Sequence, residues 1–108
     1  MDLDLAQQAF RTIQASHLAD LREDLLDAAI RYARLRVDWL RADAESRRFI
    51  EDTRTAAHNA FIATCDILAR NMAKHGEDAS WRERLGHDRK VIGDFACYLH
   101  AIVGISAR

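Results

Sequence analysis

Three residues close to the C-terminus, Asp94, Cys97 and His100, are of types that bind metal ions or act in catalysis. In a helix, each step of three residues turns the side chain back by about 60°, so these side chains fan over about 120° and do not converge. Zinc and di-iron sites need at least three converging ligands, and the chain lacks the Glu-x-x-His pairs of ferritin-like bundles. We therefore predict no catalytic residue, no metal site and no cofactor.

A second thiol, Cys65, follows His58 by seven residues, on the same side of a predicted helix. A Cys-His pair can produce an activated thiolate. Two helical turns separate these residues by about 10 Å, however, so they do not touch directly. We expect Cys65 to fill the core and His58 to lie at its edge.

Arg36 and Arg54 project into otherwise apolar stripes. A buried guanidinium needs a carboxylate partner. We predict that at least one of these arginines pairs with an acidic residue on another helix or subunit, and Asp94 is the leading candidate. A functional alternative is a polar pocket of a small-ligand binder or enzyme, lined by Arg36, Arg54, Asp94 and His100.

Composition limits the classes of partner. The 108 residues predict one helical domain spanning residues 1–108. Sixteen basic residues face seventeen acidic ones, so no global field attracts nucleic acid or an anionic membrane. The N-terminus lacks the pattern of a signal peptide, and no apolar run reaches the roughly 20 residues of a membrane span. We expect a cytoplasmic protein with no membrane partner.

A three-four spacing of apolar residues predicts the first long helix. This stripe runs from Leu18 to Trp39, acidic residues precede basic ones along it, and Ser16 stands where an N-cap is needed. We place the helix at about residues 17–42. A shorter upstream stripe, from Leu3 to Ile13, forms either a separate helix or a continuation of this one.

The second long helix begins after Asp43 or Ser46 and ends at a stop formed by Lys74, His75 and Gly76. Its apolar residues again recur three and four apart, so one face of this helix belongs to the core. That face carries Ile50, Ala57, Phe61, Thr64, Cys65, Leu68 and Met72.

A short helix separates the second long helix from the last one. Ser80 and Glu83 have the spacing of a capping box, and Gly86 closes the helix after barely more than a turn. The last helix runs from about Asp88 to about Val103. The predicted fold class is therefore all-α: a small helical bundle of three long or four unequal helices, with a short capped helix before the last.

Two of the predicted helices are apolar on more than one side. The last helix carries a strip of small residues behind its core stripe, and the first long helix carries a second apolar line. Three or four helices do not cover all of these faces, so we predict a symmetric homodimer; the alternative is an N-terminal helix folded over one face. The predicted interface residues are Gly93, Cys97, Ala101, Gly104, Leu26, Ile30 and Val37.

The segment "RERLGHDRKVIGDF", residues 82–95, imitates the turn of a DNA-binding helix-turn-helix. Trp81 stands where that motif needs a small residue, and His87 where it needs an apolar one. The helix that follows is mostly apolar, whereas a recognition helix needs polar side chains. Nucleic-acid binding is therefore not favoured. It stays an alternative that would use the basic residues around the Gly86 turn, Arg82, Arg84, Arg89 and Lys90.

Two segments, "AHNAFIATCDILARNM" and "GEDASWRERLGHDRKVIGDFACYL", are similar to a small family of uncharacterised bacterial all-helical proteins, a domain of unknown function. This resemblance implies a compact helical domain and carries no activity, cofactor or catalytic residue with it. The leading functional hypothesis therefore rests on the residues alone. It is a non-catalytic interaction or assembly module that binds a second copy of itself and an unidentified protein.

Overall fold

The computed structural model describes residues 2–106, the last two by their backbone alone, and folds this part of the chain into five helices. The helices are α1 (Leu3–Gln14), α2 (Ala19–Arg41), α3 (Ala44–Lys74), α4 (Ser80–Leu85) and α5 (Arg89–Ser106). The predicted all-α class is confirmed, as four unequal helices with a short one before the last. The chain leaves helical geometry between α1 and α2, so the N-terminal stripe is a helix of its own. Over the described residues, no helix is both long and apolar enough to cross a membrane.

Both ends of α3 are set by hydrogen bonds that the sequence indicates. Asp43 caps the N-terminus, because its Oδ1 accepts a bond of 2.7 Å from the Ser46 N–H, which lowers the pKa of Asp43. At the other end Gly76 has a φ of +76°, which glycine adopts without strain. The Glu77 N–H then donates to the Met72 carbonyl at 2.8 Å. This Schellman arrangement confirms the predicted helix stop.

Two of the predicted helix caps are wrong. The Ser16 hydroxyl accepts a bond of 3.1 Å from the Leu18 N–H, and Leu18 itself takes the N-cap position of α2 without a side-chain bond. Ser80 is already inside α4, and its N–H donates to Asp78 Oδ1 at 2.9 Å. Ser80 is therefore the first helical residue, and Ala79 takes the N-cap position where the capping box of Ser80 and Glu83 placed Ser80.

The α2 helix is central, because it packs against α3 and also against α5. Tyr32 of α2, Phe61 of α3 and Phe95 of α5 form a buried line of aromatic rings. The ring centroids lie 6.3 Å apart for Tyr32 and Phe61, and 6.2 Å apart for Phe61 and Phe95. The α4 helix completes this core with Trp81, which is fully buried. Much of the surplus apolar surface on α2 is therefore covered within the chain.

One carboxylate ties the α1–α2 connection to the α3–α4 connection. The buried Ser16 hydroxyl donates to Glu77 Oε1 at 2.7 Å, and the His17 N–H donates to Glu77 Oε2 at 3.0 Å. Arg22 Nη1 donates to the Ser16 carbonyl at 2.7 Å. The bonds from Ser16 and then His17 hold the pKa of Glu77 below its usual value. The Ser16 hydroxyl thus donates to this carboxylate while it accepts from the Leu18 N–H.

Replacing Glu77 with Gln should lower stability near neutral pH and have no such effect in acid. A carboxylate with a lowered folded-state pKa adds stability above the pKa of the unfolded chain, about 4.3 for glutamate, and this contribution disappears as the pH falls through the folded value. The gap in melting temperature between wild type and Glu77→Gln should therefore close below about pH 4. Thermal melts followed by circular dichroism measure the gap, with the exposed Glu83→Gln as the control. A gap that is constant across this range would contradict the assignment.

Candidate functional site

The outer part of the α2–α3 hairpin, residues 34–56, has no buried residue. We call this segment the hairpin end. The buried residues that flank it are Ala33 on α2 and Ala57 on α3. A pair of helices without a core of its own needs another source of order, because short isolated helices are marginal in water.

Stacked side chains provide that order. Two guanidinium groups lie over the Trp39 ring, with Arg47 Cζ at 4.2 Å and Arg54 Cζ at 4.4 Å from its centroid. Arg47 Nε also donates to the Trp39 carbonyl at 2.9 Å, which satisfies a carbonyl at the C-terminus of α2. Arg54 Nη2 donates to Glu51 Oε1 at 2.8 Å, and this bond lowers the pKa of Glu51. Cation–π contacts therefore take the place of a hydrophobic core in this segment.

Large apolar side chains are exposed on the same segment. Phe49 is 79% exposed, Leu40 59% and Val37 39%. Val37 and Leu40 stand three residues apart on α2, so they share one face of that helix. Among the described residues, the other large exposed apolar side chains are Leu3 on α1 and Ile67 in the second half of α3. The hairpin end thus carries three of these five side chains.

Arg36 pairs with Asp94 on α5, as predicted: Arg36 Nη1 lies 2.9 Å from Asp94 Oδ1. The same nitrogen lies 3.6 Å from Cys97 Sγ. Burial acts to raise the pKa of Asp94, but its interactions, including the hydrogen bond and charge of Arg36, outweigh burial and lower it. A Cβ added at Gly93 would lie 3.0 Å from Arg36 Cζ. The small residue therefore accommodates a side chain of α2 in the same chain.

The predicted interface residues have different surroundings. Gly93 is buried, Cys97 is partly buried beneath Arg36, and Leu26 is partly buried against the core, so these positions offer little to a partner. Ile30 is also partly buried, and it lines a surface groove of about 570 Å³ with Leu35 and Thr53. The remaining predicted residues, Val37, Ala101 and Gly104, are exposed. Within one chain, α2 and α5 cover each other where the prediction placed a second subunit.

A cleft of about 330 Å³ opens between α2, α3 and the start of α5. Its lining includes the predicted Arg36 and Arg54, whereas Asp94 lies behind Arg36 and His100 is not part of the lining. His100 stands six residues beyond Asp94, about 9 Å along α5. The predicted four-residue pocket is therefore only partly assembled. The described residues of the lining are Tyr32, Arg36, Arg54, Arg89 and Lys90.

The basic residues around Gly86 do not form a common surface for phosphate. Arg82 is buried, with its Nε 2.6 Å from Asp66 Oδ1 and its Nη1 donating to the Gly86 carbonyl at 2.8 Å. Arg84 Nη1 donates to Gln8 Oε1 on α1 at 2.9 Å. The α5 helix presents its central side chains to the core, where a recognition helix would present them to a DNA groove.

The thiols lie in different surroundings. Cys65 is buried, and this burial raises the pKa of its thiol to about 12. His58 packs edge-on against Tyr32, with ring centroids 5.3 Å apart, and no hydrogen bond joins it to Cys65 among the described residues. Across residues 2–106, no three His, Cys, Asp or Glu side chains are grouped to hold a metal ion.

Sequence reasoning missed two features of this region. Arg47 and Arg54 stand seven residues apart and share a face of α3, and a tryptophan near the end of α2 is a partner that this spacing could have indicated. The approach of Arg89 and Lys90 to Arg36 has no local signal, because it depends on how α5 crosses α2.

No protein-family model matches the chain, and neither does any curated protein or solved structure. The resemblance to an uncharacterised bacterial helical family therefore stays a prediction.

Proposed function

We propose that this protein is a non-catalytic interaction module that forms a homodimer in the cytoplasm through its hairpin end. The observation that carries the proposal is the exposure of Val37, Leu40 and Phe49 on a segment that has no core of its own. Exposed apolar side chains cost free energy in water, and a partner that covers them recovers about 25 cal/mol for each Å² buried. Both cysteines are free, which fits a reducing compartment.

The charges of the hairpin end favour a second copy of the chain as the partner. Six arginines and five carboxylates are mixed along residues 34–56. In a two-fold dimer the same patch meets itself, so a surface with both signs can pair its own charges. A surface of nearly balanced charge gives little attraction for nucleic acid. Two hairpin ends packed side by side would form a four-helix layer, an ordinary arrangement for helices with one apolar face.

Charged substitutions in the hairpin end should dissociate the dimer. A Leu or Phe side chain contributes about 1.5 to 3 kcal/mol when it is buried, and each substitution counts twice in a symmetric dimer. We expect Leu40→Asp with Phe49→Asp to weaken dimerisation at least about a hundredfold. Sedimentation equilibrium of the full chain measures the change.

Leu3→Asp is the matched control, because Leu3 and Leu40 are each 59% exposed and lie on different helices. We expect this variant to dimerise like the wild type. A wild-type protein that is monomeric at micromolar concentration would contradict the proposal. So would an equal loss of dimer in Leu3→Asp, since the interface would then not be the hairpin end.

A further inference from the structure

The cleft between α2, α3 and α5 gathers positive charge from three helices. Arg36 reaches it from α2, Arg54 from α3, and Arg89 and Lys90 from the first turn of α5. The remaining lining residue is Tyr32, whose ring also belongs to the aromatic line of the core. Among the residues that the structure describes, none in this lining carries a carboxylate. We propose that this cleft binds a small ligand through a phosphate group.

The neighbouring carboxylates do not neutralise all of this charge. Asp94 pairs with Arg36, and Glu51 pairs with Arg54 and also interacts with the charge of Arg89. Asp88 lies next in sequence to the two α5 cations, but its Oδ1 accepts from the backbone N–H groups of residues 90 and 91. Four cations against these three carboxylates leave one positive charge in excess. A site whose positive charges are only partly paired with carboxylates favours the binding of an anion.

The α5 cations are also less engaged than the arginines behind them. Among the described residues, Arg89 makes one long hydrogen bond, from Nη2 to Thr55 Oγ1 at 3.4 Å, and Lys90 has no carboxylate within ion-pair distance. Arg89 and Lys90 are exposed, so their charged groups can move to meet a ligand.

The two arginines are held in place before any ligand arrives. The Arg36 guanidinium lies over Gly93 and is fixed by Asp94, and the Arg54 guanidinium stacks on the Trp39 ring. The Arg54 Nε is buried and has no hydrogen-bond partner within residues 2–106. A guanidinium has five N–H donors, so donors remain on both arginines after these bonds. Binding groups that are already ordered lose less entropy when a ligand binds.

The hydrogen-bond donors that line the cleft determine which chemical groups it can bind. Guanidinium groups match the tetrahedral oxygens of phosphate with paired hydrogen bonds, and lysine adds a mobile point charge. The cleft volume of about 330 Å³ suits a small molecule and is too small for a folded partner. The phosphate can belong to inorganic phosphate or to a small phosphate monoester, and both present the same oxygens to the cations.

The two lysines of the chain provide a matched test. Lys90 lines the cleft, whereas Lys74 is an exposed residue at the far end of α3. Isothermal titration of the full chain at low ionic strength, with inorganic phosphate in one arm and glycerol phosphate in the other, measures binding. We expect Lys90→Gln to weaken phosphate binding about tenfold and Lys74→Gln to leave it unchanged.

Each arm of the experiment decides something. Tighter binding of glycerol phosphate would identify a phosphate monoester as the ligand, and tighter binding of inorganic phosphate would identify free phosphate. Equal affinities of Lys90→Gln and Lys74→Gln would overturn the site. Wild-type protein that binds neither probe at about 10 mM would also overturn it, and so would equal affinity for succinate, because the chemistry would then not be that of a phosphate. Lys90 lies outside the hairpin end, so the test of phosphate binding with Lys90→Gln is independent of the test of dimerisation with Leu40→Asp and Phe49→Asp.

Discussion

Replacing Trp81 with Ala should cost about 3 to 5 kcal/mol of unfolding free energy, a large share of the total for a domain of this size. Trp81 is fully buried, and it is the largest side chain of the six-residue helix α4. A helix of this length is not stable alone, so it depends on the packing of its apolar side chains. The same helix carries Arg82, whose bond to Asp66 joins α4 to α3, and it leads into the α5 residues of the basic cleft.

The second tryptophan is the natural comparison. Trp39 is partly exposed and contacts two arginines, with each cation–π contact contributing about 0.5 to 1 kcal/mol at such a site. We therefore expect Trp39→Ala to cost clearly less than Trp81→Ala in urea unfolding followed by far-UV circular dichroism. Equal losses would show that α4 is not part of the core. If Trp81→Ala does not fold, Trp81→Phe serves instead: the Trp81 Nε1 has no partner among the described residues, so this change removes no hydrogen bond and should keep most of the stability.

Cys65 should react with thiol reagents at least about a thousandfold more slowly than an ordinary cysteine near pH 8. Burial raises the pKa of this thiol to about 12, against about 8.5 for an exposed cysteine, and the thiolate is the reactive form. The side chain is also closed to solvent, so a reagent reaches it only after the protein opens. Cys65 is therefore not available as a nucleophile at neutral pH.

Two single-thiol variants separate the cysteines. Cys97→Ala keeps only the buried Cys65 and should stay almost unlabelled in the native state, whereas Cys65→Ala keeps the partly exposed Cys97 and should label readily. In denaturing urea both variants should label at similar rates, because the environments are then alike. Fast native labelling of Cys97→Ala would contradict the burial of Cys65.

The number and ends of the helices were largely predictable because they depend on short-range interactions. The stripe from Leu18 to Trp39 predicts α2 to within two residues at each end, and Gly76 marks the end of α3. The two wrong caps differ in range: Asp78 lies two residues from Ser80, whereas the Glu77 carboxylate that binds Ser16 lies 61 residues away in the sequence.

The candidate sites were less predictable, because they depend on which faces meet. A pairing of Arg36 with Asp94 follows from the need of a buried guanidinium for a carboxylate. The sequence does not show that Gly93, in the strip of small residues on α5, packs against that same arginine, and for this reason the strip predicts a second subunit. In the structure, the exposed large apolar side chains lie mainly at the hairpin end and not on the strip of α5, and Phe49 is the most exposed of them.

Periodicity, capping residues and charge balance thus establish from the chain alone an all-α fold with one short helix before the last. The crossing of α5 over α2 determines where the basic cleft lies and which apolar faces are covered. It places Arg36 over Gly93 and brings Arg89 and Lys90 to the arginines of α2 and α3. The physical reason is range: helix signals act over a few residues, whereas the angle between two helices depends on the packing of side chains that are distant in sequence.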